Sequence, residues 1–134
     1  MEWNQMIPEY DVTNLELSLH FYVDLIGFNI VYERKEDRFV FLQLENVQIM
    51  IQELADENKW ETGTLEYPFG RGINFQYDIK NIDTLYNRLK TDNYPIFVEM
   101  EEHWYRKDDE LLGCKEFLIK DPDGYLLRFS EDIE

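Results

Sequence analysis

Apolar residues recur along the chain in two rhythms, one helical and one alternating. Between residues 14 and 28, Leu15, Leu19, Tyr22, Val23 and Ile26 repeat at helical spacing. This predicts a helix opened by Thr13 or Asn14 and closed at Gly27, with Thr13 and Glu16 as a candidate capping box. Three strands are predicted next, "FNIVYER", "RFVFLQL" and "VQIMIQEL", joined as hairpins through the charged "KED" and the pair "EN". Beyond a loop, "GINFQYDI" alternates again, and "NIDTLYNRLK" reads as a second capped helix. "PIFVEM" predicts a strand, and "CKEFLIK" and "YLLRFS" a closing hairpin around an Asp-Pro-Asp-Gly turn. On the last strand Tyr125, Leu127 and Phe129 point one way, as core, while Leu126, Arg128 and Ser130 point the other.

The order strand, helix, three strands thus occurs twice. The halves overlay at the helix starts, Asn14-Leu15 on Asn81-Ile82, and "VQIMIQE" (47–53) lies over "YLLRFSE" (125–131) without a gap. The expected fold class is α+β: two βαβββ repeats that pair curved mixed sheets around a cleft. One domain spans residues 1–134, with the first repeat at about 1–55, a linker at about 56–69 and the second repeat at about 70–134. Arg128 is expected to face the cleft, and by the overlay so is Met50.

Composition narrows the choice of function. The hydrophobic fraction is 44% and the aromatic fraction 16%, enough for a packed core. No apolar run approaches the roughly 18 residues of a spanning helix, and "MEWNQMIPEY" lacks the basic start and apolar stretch of a signal peptide. A single cysteine, Cys114, excludes an internal disulfide and a multi-cysteine metal site, so a cytoplasmic protein is expected. The formal charge of −16 repels phosphate backbones and anionic membranes, which argues against nucleic acid and membrane partners. It attracts cationic ligands, or serves only to keep the chain soluble.

With these elements in order, the chain resembles the vicinal oxygen chelate superfamily of glyoxalase I, extradiol dioxygenases, and fosfomycin- and bleomycin-resistance proteins. The resemblance rests on "VTNLELSLHFYVDLIGF", "IKNIDTLYNRL" and "FLIKDPDGYLLRF" at the family's spacing. Metal-dependent relatives place His or Glu at four cleft positions, which fall here on Ile7, Met50, Asn74 and Arg128. A divalent ion needs anionic or imidazole donors, and a guanidinium repels it. No metal, cofactor or catalytic residue is therefore expected. A slip in register brings Glu9, Gln48 or Gln52 into play, and the cleft reads as rich in amides, with Gln76 and Asn74 beside them. Arg128 then either meets a ligand or pairs with Glu9 or another carboxylate to hold two strands together.

Among metal-free members the likeness is greatest to the bleomycin-resistance proteins, which are small, acidic and dimeric and bind the drug without destroying it. In "MEEHWYRKDDELLGCKEFLIKDPDG", Trp104 and Tyr105 match the aromatic loop that lines the drug groove in that group, and Trp60 resembles a tryptophan following the fourth strand. Flat rings stack on planar heteroaromatics and attract cations. Dimer-interface or core packing is the other role open to Trp60 and Trp104. The resemblance implies a homodimer that sequesters a cationic aromatic small molecule. An enzyme of unknown substrate, acting through Arg128 and the cleft amides, is the alternative.

Other candidates read as ordinary surface or core. His20 sits one turn from Glu16 and Asp24 on a solvated helix face. His103 lies in the aromatic stretch but belongs to no motif with His20. Cys114 reads as a small buried hydrophobe. "GRG" at 70–72 does not open a helix, so it is no phosphate loop.

Overall fold

The computed structural model describes residues 2–55 and 61–133, so Trp60 lies outside the described residues. The chain divides into two compact units, Met1–Phe69 and Gly70–Glu134. Each is built as strand, helix, three strands.

In the first unit, β1 (Glu9–Val12), β2 (Asn29–Arg34), β3 (Phe39–Leu44) and β4 (Val47–Glu53) form a sheet in the order β1-β4-β3-β2. The β1–β4 pair is parallel and sets Glu9 beside Met50, while the other pairs are antiparallel. A short helix α1 (Leu15–Leu19) runs into a π-helical segment, His20–Ile26, instead of one continuous α-helix. The wider turn is visible in the bonds from Gly27 and Phe28 N–H to the Tyr22 carbonyl, and Gly27 ends it at a φ of 109°. Asn14 is the cap, accepting from Leu17 N–H at 3.1 Å. Glu16 turns instead to Arg38 at 2.7 Å. Beneath the helix, Tyr22 packs edge-on to Phe21 and Phe28 over Leu42, Ile49 and Ile51, all buried.

The second unit has β5 (Asn74–Asp78), α2 (Ile82–Thr91), β6 (Val98–Lys107), β7 (Glu110–Lys120) and β8 (Leu126–Ile133), with sheet order β5-β8-β7-β6. One face of this sheet meets α2, and there Phe117 stacks on Phe129 and Tyr77 meets Phe129 edge-on. Ile82, Leu85 and Leu89 of α2 are buried, as the helical period requires. A helix longer and more apolar, able to cross a membrane, does not occur among the described residues.

The two units share a device that the overlay of 47–53 on 125–131 makes visible. Glu53 ends β4 and accepts from Leu15 N–H at 2.9 Å. Glu131, its counterpart on β8, accepts from Asn81 and Ile82 N–H at 3.0 and 3.1 Å. In each unit the last strand thus supplies a carboxylate to the unsatisfied donors that open the helix, where the backbone dipole also favours negative charge.

The stretch 101–113 departs from expectation. It is expected as the aromatic loop before the closing hairpin, but it forms the outer part of a long β6–β7 hairpin turning at Asp108, whose φ is 55°. Gly113 is the last residue of β7 paired to β8, opposite Ile133, so the hairpin continues beyond the sheet as a two-stranded ribbon.

Candidate functional site

Strand alternation sorts the predicted residues of the second unit onto two faces. Trp104 and Tyr105 are neighbours in sequence and therefore stand on opposite faces of β6. Trp104 lies over Gly113, where a β-carbon would come within 2.5 Å of its ring, and its indole N–H donates to Glu102 at 3.1 Å. It is 51% exposed. Tyr105 points to the other side with His103, the two rings stacked at 5.8 Å. The pair expected to line one groove together is divided by the sheet.

The Tyr105 face holds a cavity of about 270 Å³, lined by Gln76, Tyr105, Leu112, Cys114, Glu116 and Arg128 among others. Register explains the assembly. β8 sets Arg128 beside Gln76 of β5 and Leu118 of β7, while Ser130 lies opposite Glu116 and Asp132 opposite Cys114. His103 and Tyr105 of β6 face Cys114 and Leu112. Every one of these positions has the parity of Arg128.

Glu116 organises the polar part. Its side chain is only 7% exposed. It accepts from the Tyr105 hydroxyl at 2.8 Å and from the Cys114 thiol at 3.8 Å. Arg128 Nε lies 3.6 Å away, and His103 Nε2 at 3.7 Å while nearer to Glu101 at 3.2 Å. The hydrogen bond to Glu116 holds the Tyr105 phenol above its ordinary value, because losing the proton would set two anions together. Burial pushes the Cys114 thiol up, Ser130 opposing, so it is no activated nucleophile.

Arg128 donates through Nη2 to the Gln76 amide oxygen, while its buried Nε has no hydrogen-bond partner. The carboxylate beside Arg128 is Glu116 on β7 rather than Glu9. Asn74 pairs with Leu126, one step along the strand from this group, and Gln76 takes the place beside Arg128. Among the described residues no three His, Cys, Asp or Glu side chains gather as a metal cage. The Arg128 guanidinium sets a permanent positive charge at the strand position considered, so the side chains there do not fit a divalent ion.

In the first unit the second face is aromatic more than amide-rich. Tyr32 stacks on Phe41 at 5.3 Å and Trp3 meets Phe41 edge-on at 5.0 Å. Phe41 is the register partner of Met50, which is part-exposed. Gln48 is 3% exposed and committed to the chain's own N-terminal arm, accepting from Asn4 N–H at 2.7 Å and donating to the Glu2 carbonyl at 2.8 Å. Gln52 makes a long contact of 3.4 Å to the Asp37 carbonyl. Glu9 is held above the ordinary carboxyl value, by desolvation first and by Asp11 second, with Arg34 opposing. His20 pairs with Asp24 at 3.1 Å on the exposed helix face.

Glu116, Cys114, His103 and Trp3 carry much of this geometry and were not singled out from sequence as site residues. For Glu116 a signal existed, since Cys114, Glu116 and Leu118 alternate onto the face that Arg128 occupies.

The model of the Glyoxalase/Bleomycin resistance protein/Dioxygenase superfamily matches residues 9–129. The chain belongs to that superfamily. It is 27% identical to the bleomycin resistance protein of Geobacillus stearothermophilus, covering 97% of this chain and 98% of that one. A superfamily structure from Alicyclobacillus acidocaldarius shares the fold at a TM-score of 0.67 and 19% identity, covering 98% and 92% of the two chains. A virulence protein from Salmonella typhimurium does so at 0.69 and 17%, covering 99% and 100%.

Proposed function

We propose that this chain is a small-molecule-binding protein of the bleomycin-resistance type, a homodimer that sequesters a cationic aromatic compound without transforming it. The observation that carries this reading is the Arg128–Glu116–Tyr105 group lining the cavity, on the strand where metal-dependent relatives carry a ligand carboxylate. A guanidinium beside a buried carboxylate recognises by hydrogen bonds, and Tyr105 and Leu112 add apolar surface for a ring. Trp3 and Tyr32 of the first unit, exposed above the buried Phe41, offer a second aromatic surface. The charge of −16 steers a polycation toward the protein. Likeness to curated bleomycin resistance proteins over nearly the whole chain supports the class of ligand.

The test is calorimetric titration of metal-free bleomycin, with sedimentation on the same samples. Binding at one drug per subunit, weakened by Tyr105→Ala more than by Trp104→Ala, is the expected result. No heat at tens of micromolar, about −6 kcal/mol or weaker, would remove the drug-binding reading, and a monomer throughout would remove the dimer.

A further inference from the structure

The cavity of the second unit has a charge arrangement that selects among ligands, and this step rests on reading that cavity as the ligand site. Arg128 brings a guanidinium, and its polar partners among the described residues are Gln76 and Glu116. Because Glu116 already answers that charge, the cavity has no surplus positive charge to hold an anion. Asp132, exposed at the rim opposite Cys114, adds a negative one. A carboxylate or phosphate entering here would meet two carboxylates against one neutralised guanidinium.

A simple ammonium group fares better with the carboxylates but leaves the guanidinium N–H groups unanswered and faces their charge. Donors left unmet inside a site cost free energy comparable to a lost hydrogen bond. Gln76 answers one Arg128 donor with its amide oxygen, and a ligand group that both accepts and donates along one edge meets the guanidinium and the carboxylates together. At about 270 Å³ the space is slightly below the roughly 300 Å³ at which sites for whole drug-sized molecules begin, so it suits one end of a ligand.

We propose that the cavity seats an uncharged amide edge, a primary carboxamide or lactam. Its carbonyl oxygen accepts from Arg128, and its N–H donates to the Glu116 or Asp132 carboxylate. The apolar remainder lies against Leu112 and the Tyr105 ring. A cationic ligand is drawn in by the protein's overall charge and anchored by a part of it that carries none.

Benzamide, benzoate and benzylamine share a ring and differ in the group that matters. Each is titrated into the nitrogen-15-labelled full chain, following the backbone amides of Cys114, Glu116 and Ser130. Benzamide is expected to shift these amides and to bind at least about tenfold tighter than the other two. Arg128→Met is expected to abolish that advantage, and Arg128→Lys, which keeps the charge but not the planar edge, to reduce it strongly. Equal or tighter binding of benzoate or benzylamine at the same amides would overturn the amide preference while leaving the cavity a ligand site. If none of the three moves these amides, both the preference and the reading of the cavity fail, whatever bleomycin does elsewhere on the protein.

Discussion

Replacing Glu116 by leucine tests the centre of the site as a piece of structure. The carboxylate is nearly sealed from solvent, 3.6 Å from Arg128 Nε, whose side chain is 32% exposed. At that separation one charge pair attracts by about 1 kcal/mol at the dielectric of water and about 5 kcal/mol at an effective dielectric near 20. Solvent reaches Arg128 and the separation is longer than a hydrogen bond, so the lower part applies, a coupling of about 1–2 kcal/mol. Glu116→Leu takes the nearby anion from a partly buried guanidinium, and Arg128→Met takes the nearby cation from a buried carboxylate, so each single change is expected to cost about 2 kcal/mol. The double variant, with an apolar pair in place of an ionic one, should cost less than the two singles together by that coupling. Urea unfolding of the four proteins, extrapolated to water, measures it. A coupling within about 0.3 kcal/mol of zero, or a Glu116→Leu protein as stable as the parent, would refute the claim that this carboxylate holds Arg128 in place.

Three further outcomes follow from the same structure. Gly113→Ala places a methyl where the Trp104 ring now lies, with contacts of 2.5–2.7 Å. It should cost about 1–3 kcal/mol and shift tryptophan emission, and the loss should vanish in a Trp104→Ala background. Glu131→Ala removes the acceptor for Asn81 and Ile82 N–H. About 1 kcal/mol is expected, with faster hydrogen exchange confined to the start of α2; unchanged exchange there would sink the capping role. Glu53 is held below its ordinary value of 4.5 by Arg38 first and by the Leu15 N–H second. A lowered folded-state value means stability that is complete above about pH 4.5 and lost as pH falls through the folded value, so Glu53→Gln should flatten the acid limb of a stability–pH curve. An acid limb identical to the parent's would show that Glu53 is not the group titrating.

What could be read from sequence was whatever faces a core. Leu15, Tyr22 and Ile26 mark the first helix, and Leu127 and Phe129 mark the last strand, because burial imposes a period on residue type. The extended β6–β7 ribbon escaped for the converse reason. Past Gly113 it has no β8 neighbour, so "HWYRKDDELLG" carries no core face and reads as a loop. The consequence was specific: two aromatics taken as one lining turn out to be separated by strand parity. The π turn at His20–Ile26 also escaped, since i, i+4 spacing scarcely distinguishes it from an α-helix over so few residues. Gln48 reads as an available amide, but two of its partners, Asn4 and Glu2, come from an N-terminal arm more than forty residues away. For Glu116 the alternation of Cys114, Glu116 and Leu118 points to the Arg128 face, but a glutamate in a strand is ordinarily solvated, and its register with Ser130 shows where it is buried.

The duplication separates what builds the scaffold from what makes the site. Gln52 and Ser130 are equivalent positions, and their register partners on the preceding strands are Phe39 and Glu116. Met50 and Arg128 are likewise equivalent, with Phe41 and Leu118 as partners. One backbone pattern thus buries a phenylalanine in the first unit where it buries a carboxylate in the second. The strand-ending Glu53 and Glu131, which satisfy the helix starts, stay the same in both. An arginine at position 50 would find Phe39 where Arg128 finds Glu116, and the carboxylate beside it would be Glu9 of β1 instead. The helix-facing side of each sheet must remain apolar to hold its unit together. Divergence in chemistry was therefore confined to the other side, where it left one face aromatic and gave the other Arg128 and Glu116.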